Sequence, residues 1–296
     1  AHGVKVIVAA NLPFMTDSLQ KETRQYLHSC LEADPDALII GNPGILSMVK
    51  RMNQKIPLYA STYFAATNYQ AVDFLSEIGF SRVILERHLT ISEISEIVQN
   101  RRSSVEIEIF VHGDGCGNIN TNCYLLHYLF PDMVRARAKV EGFNPPCMFP
   151  FDVYEADSGE KIGERVPVLD AYTFCSLCKL PELVKTGITG MKIVGRCHSR
   201  EYQESTTKIY RELIDLIEAG QMSSFRDRIE TLKREYFPNP IRLANLQEFC
   251  CEQERCYYSP LFHAPYKTPL SWHARTKLQF DQVVIQDEDS NADREP

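Results

Sequence analysis

Five of the chain's ten cysteines fall between His112 and Cys178: Cys116, Cys123, Cys147, Cys175 and Cys178. The stretch opens HGDGCGNINTNC, passes NPPC and ends FCSLC. An iron–sulfur cubane needs thiolates, usually four, that converge from loops able to bend around it. Cys116 and Cys123 are close enough to bind from one loop. The GNINTN between them is small and polar, so it can turn sharply and aim backbone N–H groups at sulfide. Pro145 and Pro146 stiffen the approach to Cys147, and Cys175 comes shortly before a helix start at Leu180-Pro181. Cys116, Cys123, Cys147 and Cys175 form one candidate set. A structural zinc would use the same ligands, although only Cys175–Cys178 has the tight CxxC form. Unligated thiols are the third reading.

The other candidates stand where strands should end. Asn11, Asn42, Ser61, Asn68, Arg87, His88, His112, Lys192 and Arg196 each follow or close a β-branched run. Arg87, Lys192 and Arg196, with Asn68, suit an anionic substrate through charge-assisted hydrogen bonds. His88 and His112 are proton carriers by type, since imidazole titrates near neutrality. Arg87, His88, His112 and Lys192 are the candidate catalytic groups.

Strands and helices alternate to position these residues. Lys5–Ala10, Ala37–Ile40, Pro57–Ala60, Arg82–Leu85, Val105–Val111 and Met191–Val194 are short apolar runs and read as buried strands. Between them lie helical patterns at Asp17–Glu32, Ile45–Met52, Asn68–Ile78, Ile91–Gln99 and Pro181–Lys185, followed by Glu201–Ala219. Leu19, Thr23, Tyr26, Leu27, Cys30 and Leu31 share one face of the first helix, which makes Cys30 a core residue. Thr90 and Glu93 form a capping box, and Ile91, Ile94, Ile97 and Val98 face inward after it. Met222–Tyr236 reads as a charged, exposed helix. Such alternation implies parallel βαβ units. Six units predict an α/β fold, a TIM-like (β/α) barrel lacking its first two units, since the complete fold has eight in about 250 residues. An open doubly wound sheet is the runner-up, without a GxGxxG fingerprint to support it.

The expected division is barrel over 1–111, a Cys-rich insertion over 112–178, the barrel's end with further helices over 179–236, and a C-terminal arm with an acidic tail over 237–296. The arm holds Cys250, Cys251 and Cys256 in FCCEQERCYY. Adjacent cysteines rarely share one metal, so the arm is expected to pack over the barrel and bury Phe249, Tyr257, Tyr258 and Trp272.

With 296 residues, 44% of them hydrophobic, the chain can build a sizeable core. Its net charge of −7 argues against a nucleic-acid partner. No run approaches the ~20 apolar residues of a membrane span. Unevenly clustered cysteines point to metal ligation in a reducing, cytoplasmic setting.

The runs RVILERHLTISEI, EIFVHGDGC and CSLCKLPELVKTGITGMKIVGR, with GNPGIL, ASTYFAATN and the opening AHGVKVIVAAN, resemble the collagenase-like peptidase family U-thirty-two. The likeness covers roughly Ala1–Ala219. That family includes accessory proteins of oxygen-independent ubiquinone hydroxylation and proteins that hydroxylate tRNA and ribosomal RNA bases. The resemblance implies an oxygen-sensitive 4Fe–4S cluster on Cys116, Cys123, Cys147 and Cys175. Cys178 is then an extra thiol, and Cys197 lies near the site. In the family the opening run follows two earlier barrel strands, in agreement with the strand count. This chain departs from the pattern at Arg87-His88, where Arg-Glu is usual, at Val194, where Glu is usual, and at Met148, where Arg is frequent.

The implied function is an oxygen-independent hydroxylase, or a component of one, drawing oxygen from a donor such as prephenate. Charge favours a small anionic acceptor over an RNA base, and a hetero-partner of the same family is expected. One alternative is a peptidase, although neither GxSxG nor HExxH is present. The other is a non-catalytic cluster-bearing partner.

Overall fold

The computed structural model describes residues 3–12, 15–53, 55–114, 151–155, 157–166, 173–195, 199–236 and 257–258. Cys116, Cys123, Cys147, Met148, Arg196, Cys197, Phe249, Cys250, Cys251, Cys256 and Trp272 lie outside the described residues.

The first half alternates strand and helix: β1 (Ile7–Ala10), α1 (Gln20–Glu32), β2 (Ala37–Ile40), α2 (Pro43–Met52), β3 (Leu58–Ala60), α3 (Tyr69–Glu77), β4 (Arg82–Ile84), α4 (Ile91–Asn100) and β5 (Glu106–Asp114). Then come β6 (Phe151–Tyr154) and β7 (Lys161–Val166), a separate antiparallel pair. The chain continues through β8 (Thr173–Cys175), α5 (Leu180–Lys185), β9 (Gly190–Ile193), α6 (Arg200–Glu218) and α7 (Met222–Tyr236).

Strands β1 to β5 pair in chain order, all parallel, and β9 adds to β5, again parallel. The result is a curled six-strand half-barrel. A doubly wound sheet reverses its strand order at a switch point; this order never reverses, so the winding is that of a barrel wall. The strands are short and apolar, and all four residues of β2 are buried, as a sheet covered on both faces requires.

Side-chain caps set where α2, α3 and α4 begin, and so hold the loops before them short. Asn42 Oδ1 accepts from the Gly44 amide at 2.7 Å, with Pro43 opening α2. Asn68 does the same for the Ala71 amide at 2.8 Å. Thr90 and Glu93 form the expected reciprocal box on α4. Each cap satisfies donors that a helix N-terminus would otherwise leave bare.

Two helical readings change, and one set of strands is added. On α1 the buried residues are Thr23, Leu27 and Cys30, whereas Leu19 and Tyr26 are exposed. Helix α7 is not a free surface helix, because Phe225, Ile229 and Leu232 are buried at helical spacing. The β6–β7 pair and β8 went unread as a set, because the Cys-rich stretch has no clear period. Among the described residues no helix is long and apolar enough to cross a membrane.

Strand β5 is the hub. Ile107, Ile109 and Val111 join the core that also holds Ile94 and Ile97 of α4, Leu180 and Leu183 of α5, and Leu213 of α6. Its tip is built on Gly113, whose φ of +104° only glycine adopts easily. A Cβ there would stand 2.3 Å from the Val194 carbonyl oxygen. Gly113→Ala should therefore destabilise the protein by about 1–3 kcal/mol, read from urea denaturation at unchanged slope.

Asp73 of α3 pins the chain beyond α4. Its carboxylate accepts from the amides of Arg102 and Ser103, each at 3.0 Å, and from the Ser103 hydroxyl at 2.8 Å. Burial pushes its pKa up, but the Ser103 and Arg102 hydrogen bonds outweigh that and hold it below the ordinary carboxylate value. A depressed folded pKa contributes stability above the unfolded value of ~3.9 and loses it as pH falls through the folded one. The stability gap between the native protein and Asp73→Asn should thus be widest near neutrality and close in acid, as measured by denaturation across pH 2–7.

Candidate functional site

A cavity of about 400 Å³ opens on the concave side of the half-barrel, at the C-terminal ends of the strands. Asn11 follows β1, Ser61 and Thr62 follow β3, and Arg87 follows β4. Phe110 comes from β5 and Lys192 from β9. Barrel enzymes place their chemistry at this end, where loops from several strands converge.

Below the cavity the wall is charged. Period-two alternation turns Glu106, Glu108 and Phe110 to the face opposite Ile107, Ile109 and Val111. Register sets Arg82 of β4 beside Glu106, and Lys192 beside Phe110. Glu108 Oε2 accepts from Arg82 Nη1 at 2.9 Å, and its Oε1 from Lys192 Nζ at 3.1 Å. Arg82 Nε also donates to Glu106 Oε2 at 2.7 Å, and its guanidinium lies 4.5 Å from the Tyr59 ring centre. Gly190, paired with Glu108, leaves the carboxylate its room, since a Cβ would come within 3.1 Å of Glu108 Cγ. Burial alone would lower the Arg82 pKa, but hydrogen bonds to Glu106 and Glu108 raise it above its ordinary value. Lys192 is accordingly not a bare cation or a ready base.

Arg87 differs. Its guanidinium carbon lies 4.0 Å from the centre of the Phe110 ring. Its Nε and Nη1 are sealed from solvent and meet no hydrogen-bond acceptor among the described residues. The neighbouring Glu86 is buried and spends its Oε1 on the Arg87 amide at 2.9 Å. His88 Nδ1 lies 3.4 Å from the same oxygen. His88 is buried on that carboxylate and does not line the cavity.

His112 also turns away from the cavity. Between Phe110 and His112 the ladder to β9 slips by one residue, and such a bulge re-aims the side chain after it. His112 Nδ1 then meets the Tyr210 hydroxyl of α6 at 3.2 Å. Tyr210 donates its own proton to the Val111 carbonyl at 2.6 Å and accepts from the Ser176 amide at 3.3 Å. Neutral His112 must therefore carry its proton on Nδ1, with Nε2 as the acceptor. Burial, then the nearby Cys175, pushes the Tyr210 pKa well up, so it stays a neutral donor.

Strand β8 runs antiparallel to the tip of β5 and sets Cys175 level with His112. Cys175 is half-buried, whereas Cys178 is exposed. The Cys175 carbonyl accepts from the Tyr257 amide at 3.2 Å, and the Tyr258 hydroxyl donates to the Phe110 carbonyl. Both tyrosines of the expected arm are buried. Among the described residues no group of three His, Cys, Asp or Glu side chains could hold a metal; of the four expected ligands only Cys175 falls among them. A cysteine sulfur at a strand end is the soft donor type that iron–sulfur chemistry uses.

The structure thus brings Arg87 and Lys192 together at the cavity. It gives Asn68 to a helix cap, His88 to Glu86 and His112 to α6. Glu108 and Tyr210 are the functional neighbours the sequence reading missed. EIEIFV carried a signal for Glu108, since a strand alternating Glu with Ile must turn its carboxylates to one face. Replacing Glu108 by Ala would strand Lys192 and leave Arg82 on Glu106 alone, and should cost about 3–5 kcal/mol in denaturation, with Glu108→Gln costing less.

A model of the family described as Peptidase family U32 matches residues 1–244. The tRNA hydroxylation protein P1 of Bacillus subtilis is 26% identical over 72% of this chain and 50% of its own length. An uncharacterized protease of Methanocaldococcus jannaschii is 31% identical over 78% of this chain and 55% of its own. The tRNA hydroxylation protein P2 of Bacillus subtilis is 30% identical over 79% of this chain and 74% of its own. The chain spans about half the length of the first two. Two of these names run against the expectation, drawn from net charge, of a partner other than nucleic acid. Matched over most of its length by the family model, the chain belongs to Peptidase family U32.

Proposed function

We propose that this chain is the barrel part of a protein that hydroxylates an RNA base without using O2. The observation that carries the reading is the shared use of β5. Phe110 lines the cavity, and His112, two residues on, is paired with Cys175. A cysteine is thereby set against the tip of a strand that also lines the cavity. Relatives named for tRNA hydroxylation support the reaction and the acceptor class. Their names P1 and P2 support a hetero-partner from the same family. An RNA acceptor replaces the small-molecule acceptor expected from charge: net charge describes the whole surface, whereas a base enters one cavity. A cytoplasmic location fits both RNA and reduced thiols.

On this reading the half-barrel belongs to a (β/α) barrel with stretch 112–178 inserted after β5. Cys116, Cys123, Cys147 and Cys175 hold a 4Fe–4S cluster. When bound, the cluster supplies one-electron redox chemistry beside the cavity, its potential set by ligands and surroundings. The chain's own residues do the rest. A base reaches such a cavity only if unstacked, and Phe110 and Tyr63 are the aromatic surfaces lining it. Asn11, Ser61 and Thr62 are neutral polar residues lining it. Tyr210 and Ser176 clamp the Val111 carbonyl, at 2.6 and 2.9 Å, and so hold the strand tip that carries His112. The hydrolytic reading rests on the family's name, and no nucleophile–base motif supports it.

Anaerobic purification should give a brown protein with about four irons per chain, and Cys175→Ser should hold substoichiometric iron. RNA from anaerobically grown cells lacking the gene should lose one hydroxylated base, seen by mass spectrometry as a nucleoside lighter by one oxygen. Iron-free protein, or an unchanged nucleoside profile, would sink the proposal. Casein cleavage that survives replacement of all four cysteines would favour the peptidase.

A further inference from the structure

Among the described residues, Arg82, Lys192 and Arg87 stand around the cavity with Glu106 and Glu108, and Arg87 is the cation whose guanidinium meets no carboxylate. Glu108 is shared by Arg82 and Lys192, and Glu106 takes Nε and Nη2 of Arg82. Glu86 turns its Oε1 to a backbone amide instead. We propose that Arg87, lying on the Phe110 ring, is the seat of a subsite for one singly charged oxygen anion, and that Glu108 sets the limit of one.

A guanidinium with two sealed N–H groups and no acceptor carries a desolvation cost that nothing among the described residues offsets. Its third nitrogen, Nη2, is not sealed, and an oxygen anion entering the cavity meets the guanidinium there as a charge-assisted acceptor. Phe110 fixes the plane of the guanidinium from below, so the anion approaches along the edge. Ser61 already accepts from the Tyr63 amide at 3.4 Å, which leaves its hydroxyl proton to give. A second negative charge would find only Lys192, already engaged, and would face the Glu108 carboxylate. Lys192 stands 5.9 Å from the same ring, yet its charge is consumed. A carboxylate of a small organic acid and a phosphodiester of RNA share this chemistry.

The inference rests on the cavity being the substrate site, and its test needs no turnover. Benzoate, dimethyl phosphate and the dianion malonate would be titrated calorimetrically into the full chain at constant ionic strength. The native protein should bind one of the two monoanions, and malonate at least about tenfold more weakly. The tighter monoanion names the source, acid or RNA backbone. Arg87→Gln should lose that binding by roughly tenfold or more, Arg87→Lys should keep part of it, and Lys192→Gln should change it less than about threefold. Circular dichroism confirms that each variant is folded. Tighter binding of malonate, or an equal loss in the Arg87 and Lys192 variants, would overturn the assignment. Loss of RNA hydroxylation with monoanion binding intact counts against the hydroxylase reading and leaves this one standing.

Discussion

One carboxylate holds the polar side of the half-barrel together. Glu108 reaches Arg82 on β4 and Lys192 on β9, so three parallel strands meet through a single side chain. Barrel interiors are usually filled by branched apolar residues. Charge in that position is tolerated only when paired, because an isolated buried ion costs several kcal/mol. The pairing has a second effect. By absorbing Arg82 and Lys192, it leaves Arg87, among the described residues, as the cation at the cavity without an acceptor.

The same strand carries the opposite kind of packing on its other face. Ile107, Ile109 and Val111 sit in the core, while Glu106, Glu108 and Phe110 face the concave side. Past Phe110 the bulge breaks this alternation, and His112 swings to α6. Gly113 then allows the backbone to pass against Val194. The tip is held from three directions: Tyr210 from α6, Ser176 from beyond β8, and Tyr258 from the C-terminal segment. Each ends on a main-chain carbonyl of β5. The rigidity of that tip is what relates Cys175 to the cavity, whichever group the thiol holds.

Much of this was legible along the chain. The six strands lie within a few residues of where the β-branched runs put them, because short apolar runs between caps have few other ways to bury themselves. The Thr90–Glu93 box was readable because its partners are three residues apart. Arg87 and Lys192 were placed at the strand ends for the same local reason. The capping role of Asn68 was not legible, since a cap and a substrate ligand look alike until the Ala71 amide is seen. The turn of His112 to α6 was not legible, because one extra residue in a ladder has no sequence signature. Which carboxylate Lys192 would meet was not legible, because Glu108 lies 84 residues away.

The sequence by itself determined the elements, their order and the polarity of each strand face, all of which follow from period, capping and chirality over a few residues. It also supplied the motifs by which the family is recognised. Only the tertiary structure decided which charges cancel. Register alone brings Glu108 between Arg82 and Lys192, and leaves Arg87 against Phe110 without an acceptor. A charge's availability depends on what stands within about 4 Å of it, and that distance is fixed by packing between residues far apart in the chain.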